Sequence, residues 1–243
     1  MNMKTRVPIR AICFDLGDTL IHYEGIPLNW SQHYSNALCI GMKKNNYGGD
    51  EKKLNECSKI LMKYNTRAHP RNNEISAEII FSEIASYLNI DKEQSNVLME
   101  CFYNYFQQRS ILFADVEKTL KSIKDFGIKI GILTDVAYGM PNSYVLKDIE
   151  KIKQYIDVVL TSVDVGYRKP MTNGYCDMAK KLDVFPNEMI YVGNEEKDII
   201  GANRANAISV FINRTDKKCS YGECYQYESI EEMWKKIKTK TAV

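Results

Sequence analysis

The stretch Arg10-Ala-Ile-Cys-Phe-Asp-Leu-Gly-Asp-Thr-Leu20 decides how the rest of the chain is read. Residues 11–14 are apolar without alternation, and Asp15 stops them in an acidic turn that contains Gly17. A strand wetted on one face alternates apolar with polar residues, whereas a strand covered on both faces reads as a continuous apolar run. The stretch therefore predicts a buried strand of a parallel sheet that delivers Asp15 into a loop.

Toward the C-terminus the pattern repeats that theme. Helix is expected over 116–125 with Gly127 as its C-cap, strand over 128–133, helix over 144–155 and a short strand over 157–161. Helix follows over 172–182, strand over 189–192, helix over 197–206 and strand over 208–212. Ser229 and Glu232 form a capping box for a last helix over 230–237. Strand–helix repeats of this length predict an α/β fold, a Rossmann-like parallel sheet with helices on both faces. The segment between the two parts reads differently. From about 29 to 108 the patterns are helical, with Ile75, Ile79, Ile80 and Ile84 beside Phe81 and Leu88 spaced as a stripe. Gly48-Gly49 and residues 69–73 punctuate it as loops. The expected organisation is an α/β core over 1–20 and 110–243, with an all-helical cap over 21–109 inserted between its first two strands.

Composition bounds the partners. The 243 residues carry 33 Lys+Arg against 31 Asp+Glu, a net charge of +2, which gives no electrostatic reason to expect nucleic acid or a membrane surface. No apolar run approaches the roughly 20 residues that span a bilayer, and the first ten residues lack the apolar stretch of a signal peptide. The seven cysteines are odd in number, irregularly spaced and without Cys-x-x-Cys, so reduced thiols and a cytoplasmic location are expected. Three scattered His residues make no zinc site. Tyr103 and Tyr105, beside Phe102 and Phe106, read as helical core, while Arg67, His69 and Arg71 form a basic cap loop able to meet an anion.

Ligands of open parallel sheets bind at the carboxyl ends of the strands. The polar residues just beyond the expected strands are Asp15 to Thr19, then Thr134-Asp135, then the loop reaching Lys169, then Gly193-Asn-Glu-Glu-Lys-Asp198. Each has an ordinary reading as a cap or a solvated turn. Only a shared site explains all four in this order, each behind a strand.

In these motifs the chain resembles the haloacid dehalogenase superfamily of hydrolases. Phe14-Asp-Leu-Gly-Asp-Thr-Leu20 stands where that family has Asp-x-Asp-x-Thr, Thr134 stands for its strand-ending Ser or Thr, Lys169 for its Lys, and residues 192–202 for its acidic loop. The resemblance implies that Asp15 is both nucleophile and ligand of Mg²⁺, with the Gly17 carbonyl, Asn194 and Asp198 completing the metal side, Asp198 through water or by holding Lys169. It implies Thr19, Thr134, Asp135 and Lys169 on the side of a small phosphorylated substrate, and a cap that closes over the site. Two departures stand out. Gly17 lies where the family's phosphatases carry an acid, and Asn194 where the acidic loop usually has Asp. They keep two alternatives open beside a Mg²⁺-dependent phosphatase: a 2-haloacid dehalogenase-type hydrolase, and a phosphoryl-binding regulatory module without turnover.

Overall fold

The computed structural model describes residues 8–27, 29–47, 50–215 and 218–241. Gly48 and Gly49, expected as a loop, and residues 1–7 of the amino-terminal stretch lie outside them. The strands are β1 (Ala11–Phe14), β2 (Ile21–Tyr23), β3 (Ser110–Leu112), β4 (Lys129–Thr134), β5 (Val158–Thr161), β6 (Met189–Gly193), β7 (Ile208–Ile212) and β8 (Tyr225–Tyr227). The α-helices are α1 (Tyr34–Lys44), α2 (Glu51–Lys63), α3 (Ala77–Leu88), α4 (Lys92–Gln107), α5 (Val116–Asp125), α6 (Asn142–Asp148), α7 (Ser162–Val165), α8 (Asn173–Lys181), α9 (Glu196–Arg204) and α10 (Ile230–Thr241).

Two compact units share the chain. One comprises residues 1–22, 112–135 and 149–243, the other 23–111 and 136–148. The second differs from the expected continuous block 21–109 by also taking 136–148. That explains a local difference as well. Where one helix over 144–155 was expected, α6 stops at Asp148 and a separate 3₁₀ turn forms at Lys153–Tyr155, because the chain changes unit between 148 and 149.

The first unit is built on a six-stranded sheet in the order β5-β4-β1-β6-β7-β8, and every neighbouring pair is parallel. β1 occupies the interior, and all four of its residues are fully buried, as its unbroken apolar run requires. Phe14 is in register with Ile132 on one side and Val192 on the other, so the loops after β1, β4 and β6 leave the sheet at the same edge. Close packing holds this edge in place. A Cβ at Gly131 of β4 would come within 2.5 Å of Met178 Sδ on α8, and one at Gly201 of α9 within 2.4 Å of the Tyr175 hydroxyl.

The second unit is helical. α3 buries Ile80, Phe81, Ile84 and Leu88, whereas Ile79, counted in the expected stripe, is 56% exposed on the opposite side. Phe102, Tyr103 and Phe106 of α4 are core, and Phe106 stacks on Trp30 at 3.8 Å between ring centres. Its buried polar groups are mostly neutral. Asn65 donates to the Tyr34 hydroxyl at 2.9 Å and to Asn29 Oδ1 at 2.8 Å, and the Tyr34 and Tyr138 hydroxyls bond to each other.

Candidate active site

Asp15 is fixed by the sheet itself. Its N–H donates to the Val192 carbonyl at 2.8 Å, which extends the β1–β6 ladder by one rung and leaves the carboxyl just past the strand end, 7% exposed. The Lys169 ammonium reaches it from the loop after α7. It donates to Asp15 Oδ1, to Asp198 Oδ1 at 2.6 Å and to the Tyr191 hydroxyl at 3.1 Å. The three N–H donors of an ammonium are thus directed at two carboxylates and a phenol.

Asp198 is the anchor of this arrangement. It is fully buried, and its second oxygen accepts the N–H groups of Asn194 at 3.2 Å and Glu195 at 3.0 Å. The loop can fold back so tightly only because residue 193 is glycine, since a Cβ there would lie 2.4 Å from that of Asp198. The Tyr191 hydroxyl donates to the Leu133 carbonyl at 3.0 Å, and Tyr175 packs edge-on against it at 4.6 Å while donating to the Asp198 carbonyl at 3.1 Å.

Two buried carboxylates facing one ammonium leave an excess of negative charge. Burial pushes the Asp15 carboxyl up to about 7, with Lys169 pulling it down and Asp198 adding to the rise. Burial also acts against the charge on Lys169, but Asp15, Asp198 and Asp135 outweigh it and hold the ammonium well above its usual range. The lysine stays charged, and at Asp15 burial outweighs its pull.

The second loop is tied to the third and fourth by Asp135. Its Oδ1 accepts the Lys169 N–H at 3.1 Å, its Oδ2 accepts from the Lys197 ammonium at 3.1 Å, and Arg168 lies 3.8 Å away. Burial would raise this carboxyl, but Lys197, Arg168 and Lys169 bring it down to about 2. Thr134 ends β4 beside Thr161 of β5 and is 6% exposed. Arg168, Lys197 and Tyr191 were not singled out from the sequence. A charge count would have found two of them: three buried acids at one edge need cations, and these loops contain Arg168, Lys169 and Lys197.

The first loop joins the fourth through Thr19. This residue is fully buried and its hydroxyl donates to Asn194 Oδ1 at 3.1 Å. Within the loop, Asp18 has φ of +55°, the left-handed region that favours glycine, and its N–H donates to the Ile21 carbonyl at 2.6 Å. Gly17 needs no such freedom. A Cβ placed on it meets nothing within 4 Å, so the position is open space where a side chain would fit.

Among the described residues no cluster of three or more His, Cys, Asp or Glu is arranged to hold a metal. The donors that remain are the Asp15 carboxylate, the Gly17 carbonyl and the Asn194 carboxamide. They fit Mg²⁺ in kind, because that ion takes oxygen ligands, keeps several waters and needs only one or two carboxylates beside substrate phosphates. The net negative charge of two carboxylates around one ammonium fits it in sign. Of the basic loop residues, Arg71 is committed within the helical unit to the Tyr64 carbonyl at 2.8 Å and to Glu74 at 3.2 Å, whereas Arg67 and His69 are exposed. None of the seven cysteines is in a disulfide, and among the described residues no helix is long and apolar enough to cross a membrane.

Comparison with known proteins places this geometry. The chain is 26% identical over 214 residues to the glyceraldehyde 3-phosphate phosphatase of Methanopyrus kandleri, covering 85% of this chain and 84% of that protein. It is 25% identical over 218 residues to the pyrophosphatase PpaX of Bacillus mycoides, covering 90% of each. Among solved structures, a HAD phosphatase from Thermococcus onnurineus matches with a TM-score of 0.66 at 21% identity, over 94% of this chain and 98% of that one. The 2-haloacid dehalogenase of Pseudomonas syringae pv. Tomato matches with a TM-score of 0.69 at 15% identity, over 95% and 99%. At such identities the two structures speak for the fold. The family model for haloacid dehalogenase-like hydrolases matches residues 9–206, a span that holds every loop described above, and the chain belongs to that family of hydrolases.

Proposed function

We propose that the chain is a Mg²⁺-assisted cytoplasmic phosphatase that hydrolyses a small phosphorylated metabolite through an aspartyl-phosphate at Asp15. The observation that carries this reading is the buried ammonium of Lys169 between Asp15 and Asp198. The names of two relatives that match most of the chain, a glyceraldehyde 3-phosphate phosphatase and a pyrophosphatase, support it.

An Asp15 oxygen attacks phosphorus, and the bond from phosphorus to the leaving oxygen breaks with its electron pair. That oxygen takes a proton from water. A second water then attacks the phosphorus of the acyl phosphate, inorganic phosphate departs, and the Asp15 carboxylate is restored. Lys169 offsets the repulsion between a carboxylate and an anionic substrate, and Asp198 and Tyr191 keep its ammonium at the attacking oxygen. Thr134 and the backbone N–H groups after it serve the phosphoryl oxygens. Asp15, the Gly17 carbonyl and Asn194 would hold Mg²⁺, which supplies charge neutralisation at the phosphoryl oxygens. Asp198, with its oxygens given to Lys169 and to two backbone N–H groups, serves the ammonium.

A second reading draws on Gly17 and Asn194. With no acid at position 17 and a neutral amide at 194, the same nucleophile suits displacement of halide from a 2-haloacid. One assay decides between them: phosphate release from p-nitrophenyl phosphate and acetyl phosphate, and halide release from 2-chloropropionate, each with and without Mg²⁺. Metal-stimulated phosphate release that Asp15→Asn abolishes is expected. Metal-independent halide release selects the second reading, and wild-type rates in Asp15→Asn contradict both.

A further inference from the structure

Beyond the reacting groups, one cation sits behind the first loop. Arg214 follows β7, and its Nη2 donates to the Thr19 carbonyl at 3.0 Å. The same nitrogen pairs with Asp115 at 3.1 Å, and the guanidinium lies 3.9 Å above the Phe113 ring. Asp115 is itself held from a third direction, accepting the N–H groups of Ile230 at 3.0 Å and Glu231 at 3.4 Å in the first turn of α10. Thr19 is the residue whose hydroxyl binds Asn194. One guanidinium thus ties the loop that carries Asp15 to the segment 113–115 and, through Asp115, to the start of α10. A guanidinium suits that task, because its planar fork addresses a carbonyl, a carboxylate and an aromatic face at once.

We propose that Arg214 is a positioning residue: by holding the Thr19 carbonyl it sets the Thr19–Asn194 contact and, through it, the attacking geometry of the Asp15 loop. The inference rests on the reading of that loop as the nucleophile's. Removing the guanidinium leaves the fold its supports, since Asp115 keeps two N–H donors and a favourable place at a helix N-terminus. Loosening a nucleophile that has only to attack lowers the rate of the chemical step more than it lowers binding.

The neighbourhood provides a test that separates positioning from mere stability. A cavity of about 870 Å³ is lined by Phe113, Asn213, Arg214, Thr215 and Tyr227, among others, so truncation at 214 opens the guanidinium's place to solute. In Arg214→Ala, kcat for p-nitrophenyl phosphate is expected to fall about tenfold while KM stays within about twofold. Guanidinium chloride at about 20 mM, far below denaturing concentration, should restore most of the lost rate in this variant and leave the wild type unchanged, whereas potassium chloride should not. Arg214→Lys, which keeps charge but not the fork, should lie between. A wild-type kcat in folded Arg214→Ala overturns the inference, as does a loss that guanidinium fails to rescue. Asp15→Asn run alongside keeps the two levels apart: if it retains activity, the nucleophile reading fails, and if it is dead while Arg214→Ala is fully active, only the positioning role falls.

Discussion

The two units bury polar groups in opposite ways. The helical unit buries the neutral groups of Asn65, Tyr34 and Tyr138, which bond to one another and to Asn29 at the surface. The α/β unit gathers charges at the sheet edge: Asp15, Asp135 and Asp198 against buried Lys169 and Arg168 and a partly exposed Lys197. The neutral network costs little and fixes one packing arrangement. The charged cluster costs desolvation, and its members differ in the outcome: burial pushes the Asp15 carboxyl up, while Lys197, Arg168 and Lys169 pull that of Asp135 down. The lesson is that the charged cluster stands where the loops of the sheet edge converge, whereas the neutral one lies among packed helices.

The largest expected effect breaks the charged cluster. Lys169→Met leaves Asp15 and Asp198 facing each other without a cation. We expect phosphatase kcat to fall by about 10³-fold and stability at pH 8 to drop by about 3 kcal/mol. The stability loss should shrink as the pH falls below neutrality. Asp15 already binds a proton more tightly than an ordinary carboxyl, and without Lys169 it does so more tightly still, so lower pH neutralises the unpaired charge in the folded state. Urea titrations of both proteins at pH 6 and pH 8 measure it, and a pH-independent difference would remove Asp15 from the account of the imbalance.

A smaller effect sharpens the comparison within the first loop. The position with left-handed backbone is 18, occupied by Asp, and the position with free space is 17, occupied by Gly. Transposing them, Gly17→Asp with Asp18→Gly, fits the backbone better on both counts. It should speed hydrolysis of alkyl phosphates, whose leaving groups need a proton, by about 10²-fold and p-nitrophenyl phosphate much less. Equal gains on both substrates would show that the new carboxyl does not act as an acid.

The smallest effect tests the neutral side. Asn65→Ala strands the Tyr34–Tyr138 pair and should cost about 1–2 kcal/mol of stability, with kcat on a small aryl phosphate within about twofold. Thermal melts and steady-state rates on the same preparation suffice.

What the sequence made legible follows from the same physics. β1 and β6 are unbroken apolar runs, and β4 and β7 are apolar apart from Lys129 and Thr134 at the ends of one and Ser209 in the other, so they and the loops behind them could be read directly. β2, β3 and β8 have three residues each, too few for any period to register, and Ile79 was misplaced because three- and four-residue spacings admit a second face of the helix. Asp15, Lys169 and Asp198 were legible as a set, and they do meet. Less legible was how groups are spent. Thr19 gives its hydroxyl to Asn194 and Asp135 gives its carboxylate to the neighbouring loops, facts fixed by three-dimensional pairing and by no spacing along the chain. Arg214 gave no signal, because its partners, Thr19 and Asp115, lie 195 and 99 residues away.

The central claim is that the Asp15 oxygen becomes bonded to phosphorus during turnover. Its most direct test is a single turnover of ³²P-labelled acetyl phosphate, quenched in acid, with the label mapped by peptide digestion. Label on the peptide that carries Asp15, chased off by unlabelled substrate and absent in Asp15→Asn, is the predicted result. Steady release of labelled phosphate with no label ever captured on that peptide, at quench times shorter than one turnover, would contradict it.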